Sequence, residues 1–404
     1  MPAPATGTGP SAPVDRSPEH AAFRSRVRAW LAEHAAAALR EGGWRGVDHD
    51  ALVEAARAWQ RTLFDNGLAG ISWPAEYGGG GRDIAYSVIL SEEMRAYDLP
   101  VMPLLNAIWM GGPLIAAIGT PEQKARHLEA ILSGRELWCL LLSEPGAGSD
   151  LAGLSTRARR DGDTFVINGQ KVWTTFGHKS DFALLLARTD PDVAKHKGLT
   201  MFVLDMRSAG VTVRQITKMT GEPEFCEVFL DDVRIPADSV VGAIGGGWAA
   251  TGKVLTCERE MLGSGAAWNR DVSFATLQAL VDDHGLSGRA DAVTALADCY
   301  VRERILDFLQ FRTRMKLLDG APPGAEMSVL KLQSVRHQVE TIDAAMQLLG
   351  SEAVLAGHDA YREGSWQYRY LHKWSLKFGG GTEQIQKNII AERLLGLPRE
   401  PQWA

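Results

Sequence analysis

Residues 137–150 read LWCLLLSEPGAGSD, an apolar run that passes directly into a loop of small residues. The apolar run is typical of a buried β-strand. In the loop, Gly146, Ala147 and Gly148 let a ligand approach the backbone closely, and Ser149 with nearby N–H groups can hold an anion. A plain turn explains the loop equally well, so the rest of the chain must separate these two interpretations.

The sequence changes its periodicity on either side of this stretch. Before it, apolar residues recur at helical spacing, with a predicted helix start at Ser17-Pro18 and a capping box opening at Thr120. After it, short β-rich runs predict strands at 182–187, 199–204, 211–216 and 228–230, with hairpin-type turns at 161–162 and 168–169. Beyond the glycine cluster at 242–247 the helical period returns, which predicts helices near 248–283, 291–318, 326–350 and 382–395.

These patterns predict a mainly α chain with a β insert. The expected organisation is a flexible tail at 1–16, a helical domain at 17–135, a β domain at 136–242 and a helical domain at 243–404.

Composition excludes several classes of protein. The 404 residues are 45% apolar and 23% charged, which is globular composition, and the net charge of −6 argues against a nucleic-acid binder. No apolar run approaches the roughly 20 residues that cross a bilayer, and no secretory signal is recognisable at the N-terminus. The four cysteines form no CxxC pair, so we expect reduced thiols and a cytoplasmic protein.

Five segments, taken in their order along the chain, favour a ligand-binding interpretation of the loop at 144–150. The segments are WPAEYGG at 73–79, EPGAGSD at 144–150, NGQKVWTT at 168–175, FLDDVRIP at 229–236, and GTEQIQ at 381–386 leading into IAER at 390–393. Together they resemble the acyl-CoA dehydrogenase family over about residues 70–400. The resemblance implies a helical N-terminal domain, a central β-barrel-like domain and a C-terminal four-helix bundle.

The resemblance also implies a reaction and its partners. In this family FAD lies between the β domain and the C-terminal helices, partly bound by a neighbouring subunit. A base removes the α-proton of an acyl-CoA, or a related acyl thioester, while flavin N5 takes the β-hydrogen as hydride. Electrons then pass to an electron-transfer flavoprotein, and the protein is a homodimer or homotetramer.

Matching the motifs residue by residue assigns the cofactor and substrate contacts. Ser143 matches a donor to the flavin ring edge, Trp173 and Thr175 match the pair that flanks the ring, and Ser149 matches an acyl-CoA contact. The remaining matches to FAD-binding residues are Leu140, Leu142, Gln347, Gly350, Thr382 and Gln384. The alternative interpretations are an ordinary buried strand for Leu140, Leu142 and Ser143, the protein core for Trp173, and a helix surface for the glutamines.

The catalytic base departs from the commonest pattern. Many members carry a glutamate where this chain has Gly380, which supplies only a backbone N–H to the thioester oxygen. Another branch places the base in a Glu-Arg pair on the first C-terminal helix, where Glu258 and Arg259 stand. We therefore expect Glu258 to be the base, with Arg259 in a supporting substrate contact; the alternative is a solvated helix glutamate. Glu383 is offset from the family position and is a weaker candidate.

Two further functions remain open from the sequence. The loss of the usual base at Gly380 is compatible with an oxygen-using oxidase or monooxygenase on the same fold. The family's Arg-x-x-Phe-Gly segment has no clear match near 282–289. Its absence is compatible with a hetero-oligomer in which this chain is a non-catalytic subunit.

Overall fold

The computed structural model describes residues 15–40, 43–264, 272–321 and 324–399, without the side chains of 259–264. Residues 1–14 of the predicted tail lie outside this range. The described chain forms two compact units, Asp15–Glu258 and the part from Arg259 onward.

In the described part of the first unit, five α-helices precede the sheet. They are α1 (Pro18–His34), α2 (His49–Asp65), α3 (Ile84–Met94), α4 (Gly112–Ile118) and α5 (Pro121–Leu132). Both predicted helix starts are confirmed: Ser17 caps α1, and Thr120 and Gln123 form a reciprocal capping box at α5. A π-helical turn, Ala107–Gly111, leads directly into α4.

Seven strands of the described chain form one sheet after the helices. They are β1 (Trp138–Leu141), β2 (Arg157–Asp161), β3 (Thr164–Thr175), β4 (Phe182–Arg188), β5 (Leu199–Asp205), β6 (Val211–Ile216) and β7 (Phe225–Pro236). β4 pairs with β1 in parallel and with β5 antiparallel, while β3 lies between β2 and β7. β2 meets β4 at a single pair, Arg157 with Arg188, which curls the sheet.

One of the two predicted hairpin turns is wrong. The turn at 161–162 joins β2 to β3, as expected. Asn168 and Gly169, however, lie inside β3, at a shift of register against β7. The Asn168 side chain donates to the Asp232 carboxylate at 2.9 Å, so it joins two strands instead of closing a hairpin.

Helices account for most of the remaining chain. They are α6 (Gly247–Ser264), α7 (Phe274–Asp283), α8 (Ala290–Leu318), α9 (Glu326–Leu349), α10 (Ser365–Phe378) and α11 (Glu383–Ile389). The helix predicted at 248–283 is therefore two helices, α6 and α7, and residues 265–271 between them lie outside the described chain. The one predicted at 382–395 is α11 followed by a π turn, Ile390–Leu394.

The fold class expected from the sequence is confirmed: helical N-terminal region, central curled sheet and helical C-terminal region. Cys139, Cys226 and Cys299 are buried free thiols. None of the described helices combines the length and apolar character needed to span a membrane.

Candidate active site

The segment that follows β1 lies alongside β3. The Val172 N–H donates to the Ser143 carbonyl at 3.0 Å, and Glu144 and Ala147 exchange two backbone hydrogen bonds of 3.0 Å each. These bonds close a tight turn with Pro145 and Gly146 at its tip. The structure thus brings the predicted flavin contacts Leu142 and Ser143 next to the strand that carries Trp173.

A buried ion pair fixes this arrangement. Lys171 Nζ lies 2.9 Å from Glu144 Oε1 and 2.9 Å from the Leu142 carbonyl oxygen, and Lys171 has no exposed surface. Glu144 also accepts from the Ser155 N–H and hydroxyl, both at 2.7 Å, and from the Thr156 N–H at 2.9 Å.

The environment of Glu144 keeps its carboxylate charged. Burial alone would raise the pKa of Glu144, but the charge of Lys171 and the donors from Thr156 and Ser155 outweigh it and lower this pKa to about 2. Neither Lys171 nor Glu144 was predicted from the sequence. The available signal was a lysine within one apolar strand and a glutamate shortly after another apolar strand.

Trp173 occupies a β-bulge. Lys171 pairs with Val228 and Thr174 with Cys226, so Val172 and Trp173 together face a single residue of β7. The backbone φ of Trp173 is +63°, a left-handed conformation that costs a bulky residue roughly 1–3 kcal/mol. Its side chain is 61% exposed, with Phe225 edge-on at 6.0 Å between ring centroids.

The other predicted contacts of this unit are divided between core and surface. Leu140 and Leu142 are half-buried against a core cluster that also contains Met110 of the π turn. Thr175 is half-buried on β3, and Ser149 is exposed in the loop after β1.

Glu258 lies on the face of α6 that packs against this same core cluster. Ala250 and Val254 are 1% and 0% exposed and belong to the cluster that Leu140 and Leu142 contact. Side chains four residues apart share a helix face, so Glu258 extends this stripe by about 6 Å along the axis. Glu258 is half-buried. Its neighbour Arg259 has a side chain outside the described residues.

In the second unit, the predicted residues around Gly380 form a glycine turn between α10 and α11. The φ values of Gly380 and Gly381 are +67° and +93°. The Gly380 carbonyl accepts from Gln386 Nε2 at 2.8 Å, and Lys331 of α9 donates to the Gly379 carbonyl. Thr382 caps α11 by accepting from the Ile385 N–H at 3.3 Å.

The other predicted FAD contacts of this unit are at the protein surface. Gln347 is exposed in the last turn of α9, and its carbonyl accepts from the N–H of Gly350, which has a φ of +57°. Gln384 is exposed on α11. A groove of about 430 Å³ lies beside the glycine turn, and its lining includes Gly381 and the cations Lys331, Arg336, Lys377 and Lys387.

Comparison with known proteins identifies the family. Profiles for the N-terminal, middle and C-terminal domains of acyl-CoA dehydrogenases match residues 17–135, 139–233 and 245–395. Acyl-CoA dehydrogenase IpdE1 of Mycobacterium tuberculosis is 38% identical over 390 residues, which cover 94% of this chain and 98% of that protein. The chain belongs to the acyl-CoA dehydrogenase family.

Solved structures of acyl-CoA dehydrogenases share the whole fold. The Tcur3481-Tcur3483 steroid ACAD is 29% identical, with a TM-score of 0.81, and the match covers 95% of this chain and 99% of that one. The ChsE4-ChsE5 complex from Mycobacterium tuberculosis is also 29% identical, with a TM-score of 0.79 over 96% of this chain and 100% of that one. This chain is accordingly a flavin-dependent oxidoreductase of the acyl-CoA dehydrogenase class, as its motifs predict.

The described residues fit the flat ring of a flavin. Trp173 presents an indole that is 61% exposed, and an aromatic face of this size is suited to stacking against a planar ring. No atom lies within 4 Å of a Cβ built on Gly146 or Gly148, so space opens beside the backbone of the loop. These features suit an acyl-CoA dehydrogenase in which a planar cofactor meets this part of the β domain.

Proposed function

We propose that this acyl-CoA dehydrogenase uses FAD to convert an acyl-CoA, or a related acyl thioester, to its 2-enoyl thioester, with Glu258 as the base. The observation that carries the assignment of the base is the stripe of Ala250, Val254 and Glu258 on α6. It continues from the core into a half-buried carboxylate. Partial burial favours a base, because loss of water raises the proton affinity of a carboxylate.

Each of the chain's own groups has a role in this reaction. Bound FAD supplies the hydride acceptor. Glu258 takes the α-proton, and the Gly380 N–H donates a hydrogen bond to the thioester oxygen, which stabilises developing enolate charge. Ser143 holds the flavin ring edge, Trp173 and Thr175 flank the ring and exclude water, and Ser149 and Arg259 contact the acyl-CoA.

The remaining FAD contacts come from the C-terminal unit. We assign Gln347, Gly350, Thr382 and Gln384 to the diphosphate and adenosine of FAD in a neighbouring subunit, which requires a dimer or tetramer. The surface positions of Gln347 and Gln384 support this assignment, because exposed side chains are available to another subunit. An electron-transfer flavoprotein is the proposed acceptor.

A panel of thioesters tests the reaction. The purified protein is mixed with acyl-CoA substrates in the absence of oxygen, and bleaching of the visible flavin band is recorded. Because one structural neighbour is named a steroid ACAD, steroid acyl chains head the panel, followed by aryl, branched and straight chains. Rapid bleaching by one class, with formation of its 2-enoyl product, supports the proposal; failure of every class to bleach a bound flavin would refute it. Rapid reoxidation of the product complex by air would instead favour an oxidase.

A second candidate function is that of one subunit in a mixed complex. This candidate is motivated by the region 282–289, which lacks the Arg-x-x-Phe-Gly segment of the family. There Asp283, at the end of α7, pairs with Arg362. The ChsE4-ChsE5 neighbour is such a complex by its name. Expression of this chain alone separates the two functions, because stoichiometric FAD in the isolated protein rules out a purely supporting subunit.

A further inference from the structure

Lys171 and Glu144 form an ion pair in the middle of the residues that we assign to the flavin. Lys171 is 0% exposed and Glu144 6%. The predicted flavin contact Leu142 lies two positions before Glu144, and Trp173 lies two positions after Lys171. The pair is thus closer in sequence to the predicted flavin contacts than any other buried charge of the described residues.

The pair joins three segments of backbone. Lys171 holds β3 to the Leu142 carbonyl, and Glu144 holds the loop after β1 to the N–H groups of Ser155 and Thr156. The Val172 N–H to Ser143 carbonyl bond lies between these two contacts. Movement of either charged side chain therefore displaces Ser143 and the start of the bulge together.

The bulge needs such support. Trp173 has a positive φ, and a strained backbone conformation persists only where its surroundings determine it. Trp173 itself is largely exposed, so its own packing contributes little. On its N-terminal side, the Val172 N–H donates to the Ser143 carbonyl, and the ammonium group of Lys171 is bonded at two points.

A buried ion pair of this kind fixes the local backbone geometry more than it stabilises the fold. Its desolvation offsets much of the attraction between the charges, and apolar side chains of similar size would serve a core as well. The hydrogen bonds from Lys171 to the Leu142 carbonyl and to Glu144, however, have fixed directions that an apolar pair cannot reproduce.

We propose that Lys171 and Glu144 are positioning residues of the flavin site. They set the distance between the Ser143 edge and the Trp173 bulge. This proposal rests on the proposed function, because it assumes that these residues meet the flavin. Neither side chain is assigned any contact with substrate or a role in proton transfer.

The test compares purified holoenzymes in which the pair is changed. Lys171→Met removes one partner, and Lys171→Met with Glu144→Gln leaves a neutral, similarly sized pair. Arg24→Met is the matched control, because Arg24 is also buried, at 8% exposure, and pairs with Glu92 and Glu93 on helices away from the sheet. Three quantities are measured: the Kd of FAD for the apoprotein, the shape of the visible band of bound flavin, and the rate of flavin reduction at saturating thioester.

We expect both changes at the pair to weaken FAD binding at least tenfold, alter the flavin band and slow reduction at least tenfold. Arg24→Met should lower the melting temperature while leaving the band shape and the Kd within twofold of the unmodified protein. If Lys171→Met does not fold, the double variant provides the result. A folded double variant with the original Kd and band shape would overturn the positioning role.

The outcome separates this proposal from the proposed function. If the unmodified protein binds FAD but no thioester reduces it, the dehydrogenation proposal fails, while the Kd and band shape still test the positioning role. If the unmodified protein binds no FAD even when apoprotein is titrated, both proposals are overturned.

Discussion

The β1–β3 region and the glycine turn at 379–381, which lie in different units, are built in opposite ways. In the first region, side chains carry the proposed flavin contacts, and Lys171 and Glu144 form a buried ion pair beside them. In the second, only the backbone is available, because Gly380 and Gly381 adopt positive φ values and carry no side chain. Because Gly380 supplies no carboxylate, we propose a proton acceptor elsewhere in the chain, and Glu258 on α6 is our candidate.

The largest stability effect is expected at the ion pair. Lys171→Met leaves the Glu144 carboxylate buried without its countercharge, which costs about 3–5 kcal/mol. Replacing both members, as Lys171→Met with Glu144→Leu, should recover much of that loss, because no isolated charge remains. Chemical denaturation of the two variants checks this order, and equal stability of Lys171→Met and the unmodified protein would show that the pair is not truly desolvated.

The two units should also differ in their response to acid. Burial lowers the pKa of His337 in α9 to about 4, from 6.5, so its neutral form is favoured in the folded state. A basic group whose pKa is lower in the folded than in the unfolded state loses its stabilising effect once the pH falls below its unfolded pKa. The contribution of His337 to the free energy of unfolding is therefore complete above about pH 6.5 and falls by about 3 kcal/mol as the pH drops to 4.

The variant His337→Gln should therefore flatten the loss of stability between pH 6.5 and pH 4. The matched control is His178→Gln in the other unit. Partial burial, with the neighbouring charge of His49, also lowers the pKa of His178 to about 4. His178 is only half-buried, so solvent screening should make its effect smaller. The melting temperatures of both variants at four pH values show which histidine has the larger effect. A larger effect at His178 would contradict this prediction.

Changes in the glycine turn should have intermediate effects. Gly381→Ala combines a φ of +93° with a Cβ placed 2.6 Å from Gln386 Nε2, whereas Gly380 has the positive φ of +67°. We expect Gly381→Ala to cost about 2 kcal/mol and Gly380→Ala about 1 kcal/mol. Gly288→Ala is the control, since nothing lies within 4 Å of its built Cβ, and it should change stability by less than about 0.5 kcal/mol. Thermal unfolding measures all three, and equal costs would argue against a conformational role for the turn.

The smallest stability effect is expected at Trp173. Asparagine tolerates the left-handed conformation better than tryptophan, and the exposed indole loses little packing, so Trp173→Asn should change stability by less than about 1 kcal/mol. The same change should weaken FAD binding at least tenfold, because the ring loses an aromatic partner. A large loss of stability with unchanged FAD affinity would place Trp173 in the core instead of the site.

The sequence predicted the architecture well where its signals are local. The caps at Ser17 and Thr120 depend on neighbouring residues, and both are confirmed. The hairpin turn predicted at Asn168-Gly169 was wrong because this two-residue pattern suits a hairpin but lies within β3. There Asn168 forms a hydrogen bond with Asp232, which is 64 positions away. The stretch 365–378 gave no separate prediction of α10, although Trp366, Tyr370 and Trp374 recur at four-residue spacing there.

The candidate site was predictable only where motifs carry it. The resemblance predicts the contacts from Leu140 to Thr175, whereas the Lys171–Glu144 pair is a contact between residues 27 apart that local pattern does not reveal. Likewise, the support of the glycine turn by Lys331 joins residues 48 apart. Long-range polar contacts of this kind depend on the packing of the finished fold.

The most direct test of the account is the rate of flavin reduction by the variant Glu258→Gln. The variant is loaded with FAD and mixed rapidly with the best thioester of the panel, with Glu383→Gln as the control for the weaker candidate on α11. We predict that Glu258→Gln binds the thioester but reduces its flavin at least about 1,000-fold more slowly, while Glu383→Gln keeps the original rate. Reduction by Glu258→Gln at the rate of the unmodified protein would contradict the assignment of the base.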